Sequence, residues 1–287
     1  MPRPGAHALA ALRSAIDRIG KDGSVHALST PPARAALGLA GLDTALGGGL
    51  KRGAFHALRP AKPGEEPAAT GFALACALRL AAERPLLWVR QAMAEREYGL
   101  PYGPGLMGFG LDPARLVTIE AADARAVLKA AEEALHCKAL GAVLIEPWSM
   151  PKAVDLVALR RLVLAAEASG VSALFLRSGG PELADPGATR WAIAAHPSAS
   201  AFGPGLPAFR VTLERGGQAG PQEWMMEWCC ERRVFRPAPS GAPKADRVPN
   251  PARLQRRPRR PPASPPRRSA AAGSRRTWGG RPRPRRP

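Results

Sequence analysis

Apolar side chains recur at Leu9, Leu12, Ile16 and Ile19, while Arg13, Asp17 and Arg18 fall elsewhere and Gly20 stops the pattern. This spacing predicts an amphipathic helix over residues 6–19, whose stripe packs on its own domain or on a partner. A Gly/Pro/Ser-rich connector runs from Ser29 to Ala36. Beyond it, short apolar runs alternate with longer runs of helical period. Ala54–Leu58, Leu86–Val89, Arg115–Ile119, Ala142–Ile145 and Val171–Leu176 read as strands. Ala68–Glu83 reads as a helix that is apolar through most of its circumference. A second helix runs from a cap at Asp123 through His136, with Leu128, Ala131 and Leu135 inward. A third spans Lys152–Ala168, with Leu156, Leu159, Val163 and Ala166 inward and Gly170 as its stop. Strands separated by such helices predict βαβ units and a mostly parallel sheet with helices on both faces.

The pattern then changes. Trp191–Ala195, Phe209–Leu213 and Glu223–Trp228 follow one another across Gly/Pro-rich turns with no helix between them. In the last, Trp224, Met226 and Trp228 alternate with Glu223, Met225 and Glu227, as in a half-exposed antiparallel strand at a sheet edge. Residues 237–287 hold 13 prolines in 51 positions, with Val248, Leu254 and Trp278 almost alone as large apolar side chains. Such a stretch buries too little apolar surface to offset the entropy of ordering it and is expected to be disordered. The expected organisation is an N-terminal helix and connector (1–36), an α/β domain (37–236) and a disordered Arg/Pro-rich tail (237–287).

Charge sharpens this division. The formal net charge is +19, but residues 232–287 hold 18 basic residues against Asp246 alone, whereas residues 1–231 hold 24 basic and 22 acidic. The body is nearly neutral. No apolar run is long enough to cross a membrane, and Met1-Pro2-Arg3-Pro4 leads into an amphipathic segment unlike a signal peptide, so the expected location is cytoplasmic. Cys76, Cys137, Cys229 and Cys230 lack C-x-x-C spacing, and His7, His26, His56, His136 and His196 are scattered, so no metal site is expected. No nucleophile–base arrangement emerges. His56 falls on a predicted strand, and Arg160-Arg161 reads as a solvated helical pair. The stretch Met93–Leu111, with seven Gly or Pro and with Tyr98, Tyr102 and Phe109, reads as a permissive loop, either packed or able to stack on a base or a partner.

The most informative segment is Leu42-Asp43-Thr44-Ala45-Leu46-Gly47-Gly48-Gly49-Leu50-Lys51-Arg52-Gly53, leading into the strand that begins at Ala54. Three glycines permit positive-φ turns, and Leu42 and Leu46 pin the segment to the core. It resembles the entry to the ATPase core of RecA-family recombinases. That family continues with G-x-x-x-x-G-K-[ST], whose amides and lysine hold phosphates and whose hydroxyl binds Mg²⁺. Here the continuation is Leu58-Arg59-Pro60-Ala61-Lys62-Pro63-Gly64-Glu65-Glu66-Pro67-Ala68-Ala69-Thr70. The lysine is missing, and Pro60, Pro63 and Pro67 remove backbone donors. Glu65 and Glu66 bring negative charge, which at about 4 Å and an effective dielectric near 20 costs roughly 4 kcal/mol per like pair before screening. Gln91 stands where the family presents a water-orienting glutamate, with Glu95 the nearest acid, and Glu146 stands where it usually has a Mg²⁺-linked aspartate. The degenerate phosphate-loop positions are Arg59, Lys62, Gly64 and Thr70, with Glu146 as a Walker-B-like residue or a residual strand-end acid.

A RecA-like fold that keeps the LD…LGGG entrance and loses the lysine resembles the SulA/ImuA branch, over roughly residues 5–236. The resemblance implies a RecA-like P-loop NTPase-type fold with a degenerate phosphate loop and no catalysis or cofactor. It implies an accessory role in SOS mutagenesis and error-prone translesion synthesis, with an ImuB-type inactive Y-family polymerase homologue, RecA and an error-prone C-family polymerase as partners, and nucleoid association when active. The alternatives are a SulA-like division inhibitor and an atypical RecA-like ATPase in DNA repair. Ser178–Ala188, at about the position of the first DNA-contacting loop in RecA proteins, is short and carries Glu182 and Asp185, so it suits DNA poorly. The paired arginines Arg256, Arg257, Arg259, Arg260, Arg267 and Arg268 suit non-specific nucleic-acid binding. GC-rich DNA read out of frame yields similar termini, so a frameshift or variable extension is the other reading of the tail.

Overall fold

The computed structural model describes residues 33–148, 154–177, 186–198 and 205–239. All fall in the first of the chain's two units, Met1–Lys244; the second, Ala245–Pro287, lies outside the described residues. So do the helix expected over 6–19, most of Ser178–Ala188 and the expected tail beyond Pro239; the first residue of that tail, Pro237, instead belongs to the last strand of the sheet.

In chain order the elements are β1 (Arg34–Ala35), α1 (Ala40–Ala45), β2 (Leu50–Lys51), β3 (Phe55–Pro60), α2 (Glu66–Ala81), β4 (Leu86–Gln91), α3 (Ala92–Tyr98), α4 (Gly103–Gly108), β5 (Leu116–Ala121), α5 (Ala124–Leu135), β6 (Ala142–Glu146), α6 (Leu156–Ser169), β7 (Ser172–Leu176), β8 (Thr189–Ala195), β9 (Ala208–Arg215), β10 (Gln222–Cys229) and β11 (Val234–Pro237). Nine strands form one sheet in the order β11-β10-β9-β8-β3-β7-β6-β4-β5. From β8 to β5 every pairing is parallel, and from β8 to β11 every pairing is antiparallel. The mostly parallel sheet with an antiparallel extension is therefore as expected. No helix among the described residues is long and apolar enough to cross a membrane.

Side-chain alternation along the parallel strands feeds two cores. Leu58, Leu86, Trp88, Leu144 and Leu174 face α2, while Ala57, Leu87, Val89, Val143 and Phe175 face α5 and α6. The long helix α2 is buried nearly all round because it is covered twice. The sheet lies under it, and Leu37, Leu42, Leu46 and Leu50 of the entrance segment join the same cluster. Phe72 of α2 packs against Trp191, Phe209 and Phe235 of the antiparallel strands, with ring centroids 5.3–6.0 Å apart.

Several expectations are corrected. The connector ends in β1, which pairs with β2. Helix α6 starts after its cap Asp155, whose carboxylate accepts from the Ala158 amide at 2.8 Å, so Leu156 is exposed instead of inward. The Glu223–Trp228 strand is not the sheet edge: β11 pairs outside it, and Glu227 is buried against Arg236 at 2.5 Å. Met93–Leu111 is no plain loop but carries α3 and α4. Asp123 caps α5 as expected, accepting from Ala126 at 2.8 Å.

Candidate functional site

Open parallel sheets bind ligands beyond the carboxyl ends of their strands, where successive crossovers leave in opposite directions. Here that point lies beside β3: the chain crosses from β3 outward to β4 and β5, returns through β6 and β7, and passes to the other side of β3 with β8. A cleft of about 360 Å³ opens at the carboxyl ends of β4 and β6, between the first turns of α2 (the helix that follows β3) and the α3–α4 segment. Leu74, Trp88, Leu100, Pro101, Leu106 and Phe109 give it mostly apolar walls.

Its floor is an ion pair. Arg90 and Glu146 lie side by side in the parallel register of β4 and β6 and are both almost fully buried. The Arg90 Nε donates to Glu146 Oε2 at 2.7 Å, and the Trp88 indole N–H donates to the same oxygen at 3.1 Å. The Arg90 guanidinium also sits 4.8 Å from the Trp88 ring and donates to the Gly99 carbonyl at 2.9 Å, tying the α3–α4 segment to the sheet. Burial pushes the Glu146 carboxyl above its ordinary range, opposed by Arg90 and by the hydrogen bonds. Glu146, at the end of β6, is thus committed to a buried ion pair. A cation approaching it would have to displace a guanidinium, and removing one partner of such a pair leaves an uncompensated buried charge.

The β3–α2 turn is occupied by its own side chains. Glu66 Oε2 accepts from the Gly64 amide at 2.8 Å, and Glu65 Oε2 accepts from the Ala195 amide at 2.7 Å. Both carboxylates sit at the N-terminal end of α2, where its dipole favours them. Lys62, largely exposed, lies 3.8 Å from Glu65, and Arg59 pairs with Glu214 of β9. Of the five sequence-identified positions, Thr70 and Glu146 line the cleft, whereas Arg59, Lys62 and Gly64 do not. Gln91 uses its side-chain oxygen to accept from the Trp148 amide at 3.0 Å. The six tail arginines lie outside the described residues.

Arg90 was missed by sequence reasoning, although a signal exists. It follows the apolar run Leu86–Val89 on the same face as Trp88, and Glu146 follows the apolar run Ala142–Ile145. The aromatics of the α3–α4 segment divide: Phe109 turns inward and stacks on Trp228 at 5.7 Å, Tyr98 lies 5.2 Å from Trp148, and Tyr102 is exposed. No group of three His, Cys, Asp or Glu side chains able to hold a metal occurs among the described residues.

The entrance segment has a clear structural purpose. Asp43 accepts from the Leu37 and Gly38 amides at 2.6 and 2.9 Å, Arg34 donates to the Leu46 and Gly49 carbonyls at 2.6 and 3.0 Å, and Gly47, Gly48 and Gly49 all have positive φ. These contacts hold the apolar cover over α2. No protein-family model matches the chain. Over 198 residues, 63% of this chain and 77% of the relative, it is 34% identical to Protein ImuA of Caulobacter vibrioides, strain NA1000 / CB15N. The same figures hold for Protein ImuA of Caulobacter vibrioides strain ATCC 19089 / CIP 103742 / CB 15. At that identity and coverage the chain, with its LD…LGGG entrance and its cleft floored by an ion pair, belongs to the ImuA family.

Proposed function

We propose that this chain is a non-catalytic, RecA-like accessory protein of damage-induced mutagenesis, working through protein contacts with an ImuB-type polymerase homologue, with RecA, or with both. In this reading it supports an error-prone C-family polymerase during translesion synthesis, in the cytoplasm and at the nucleoid. Both relatives carry the ImuA name, which favours mutagenesis over division inhibition.

The observation that carries the non-catalytic part is the state of the strand-end site. Measured against G-x-x-x-x-G-K-[ST] with Gly64 as second glycine, Arg59 replaces the first glycine, Glu65 the lysine and Glu66 the hydroxyl. The Gly64 amide, a phosphate donor in that motif, is bonded to Glu66. Arg90 stands against Glu146, where a divalent cation would be needed. Two acidic side chains in the loop and a guanidinium at the metal position oppose a Mg²⁺–triphosphate in both of its charges.

Two measurements test this. Titration of the full chain with MgATP should give no binding heat and no thermal shift, whereas a ligand at a hundredfold excess over its Kd stabilises by about 2.7 kcal/mol. A pull-down from DNA-damaged cells should recover an ImuB-type partner. Mg²⁺-dependent ATP hydrolysis abolished by Lys62→Ala or Glu146→Gln would overturn the proposal.

A further inference from the structure

The α3–α4 segment carries an unusual surface. Within fifteen residues it exposes Met93, Tyr98, Leu100, Tyr102 and Met107, with Leu100 67% and Tyr102 72% accessible. Large apolar side chains exposed together in one short segment mark a contact site more often than a solvated face. It forms one wall and the mouth of the cleft over Arg90 and Glu146, and Arg90 anchors its backbone at Gly99.

The charges around the mouth are predominantly negative. Glu66 lines the cleft beside Tyr98, and Glu97 lies close enough to act on the same tyrosine. Burial, and then the carboxylates Glu66, Glu146 and Glu97, hold the Tyr98 hydroxyl above its ordinary range. Glu95 of α3 in turn lies close to the Glu120 carboxylate of β5. Partial burial and then that neighbouring carboxylate raise the Glu95 carboxyl, with Arg90 opposing. The exposed cation on α3 is Arg96, and Arg90 is already committed to Glu146.

We infer that the cleft is a docking site for a peptide segment of a protein partner, one aromatic or branched aliphatic side chain entering between α2 and the α3–α4 segment and flanking Lys or Arg residues meeting Glu66, Glu97 and the Glu95–Glu120 pair. The apolar walls select the anchor, because a polar group entering would lose its hydration without a partner. The acidic rim selects the flanks and repels phosphorylated or acidic segments. The large exposed side chains beside the cleft supply the surrounding apolar contact that excludes water from an anchor. This rests on the reading above, in which the site holds no nucleotide, and names the chemistry of what it holds instead.

The test is selection of phage-displayed random dodecapeptides on the full chain, with subtraction on the Leu100→Glu chain to remove peptides held elsewhere. Leu100 is exposed, so the substitution leaves the core intact, and circular dichroism verifies this. The surviving peptides should carry an apolar anchor with Lys or Arg within a few residues. A fluorescein-labelled synthetic copy should bind the wild-type chain and lose about tenfold in affinity to Leu100→Glu. At low salt Glu97→Lys should weaken it several-fold. Acidic consensus peptides, peptides retained equally by Leu100→Glu, or no enrichment would overturn the inference. MgATP, titrated against the bound peptide, separates the two proposals. Displacement by MgATP would overturn the nucleotide-free reading, whereas failed peptide selection with inert MgATP overturns the docking site alone.

Discussion

His56 shows how much one buried titratable side chain governs at the residue scale. It sits in β3, fully buried, with Nδ1 2.8 Å from the Thr189 hydroxyl and Nε2 2.9 Å from the Lys51 carbonyl. A carbonyl only accepts, so Nε2 carries the proton and Nδ1 accepts from Thr189, whose oxygen in turn accepts from the Trp191 indole at 2.7 Å. Protonating Nδ1 breaks this arrangement. Burial pulls the His56 pKa from 6.5 down to about 4; Lys51's charge also lowers it, and the bond to the Lys51 carbonyl works against both. The unfolded chain therefore binds a proton between pH 6.5 and 4 while the folded chain does not. Stability contributed by the neutral imidazole is fully present above pH 6.5 and is lost as pH falls toward 4, by about 3 kcal/mol. In His56→Gln this loss is absent. Chemical denaturation of both proteins should show the wild-type advantage at pH 7 shrinking by about 3 kcal/mol at pH 4, and parallel pH curves would refute the assignment.

At the scale of elements, the Gly47–Gly49 turn separates two costs that a glycine can avoid. Gly48 and Gly49 have nearly the same φ, +106° and +112°. A Cβ on Gly48 meets only Arg34 Cδ at 3.7 Å, whereas one on Gly49 collides with the Ala35 carbonyl and lies 2.7 Å from Ala36 Cα. Gly48→Ala should cost roughly 1–2 kcal/mol from backbone strain alone. Gly49→Ala should cost more, because β1 must separate from β2 and lift the cover from α2. Urea denaturation of the two variants checks the order, and equal losses would show that the β1–β2 contact is dispensable. The same segment marks what was legible in the sequence. Apolar runs such as Val143–Ile145 and the LD…LGGG spacing depend on local pattern, so the parallel strands and the entrance could be read directly. Strand β11 could not, because Val234-Phe235-Arg236-Pro237 is short and runs into proline, and only its partner β10 makes it a strand. Helices α3 and α4 were hidden by their glycines and prolines. The Arg90–Glu146 pair was hidden because β4 and β6 are neighbours only through the strand order, with β5 and α5 intervening in the chain.

For the whole molecule, the charge distribution divides the labour. The nearly neutral first 231 residues carry the cleft with its acidic mouth and every strand of the sheet but β11, while 18 of the 42 basic residues lie in 232–287. An acidic mouth repels phosphates, so nucleic-acid affinity should belong to the basic stretch. Each phosphate neutralised on duplex DNA contributes about −0.9 to the slope of log K against log salt. Replacing Arg256, Arg257, Arg259, Arg260, Arg267 and Arg268 by Gln in the full chain should therefore flatten the slope by about 5, uniformly across sequences. The same substitutions should leave the thermal unfolding of the sheet domain unchanged, since none of them lies in the first unit. Fluorescence anisotropy on a duplex oligonucleotide between 50 and 200 mM salt reads the slope, and calorimetry reads the unfolding. An unchanged slope would move nucleic-acid contact to the neutral body, on a face away from the acidic mouth.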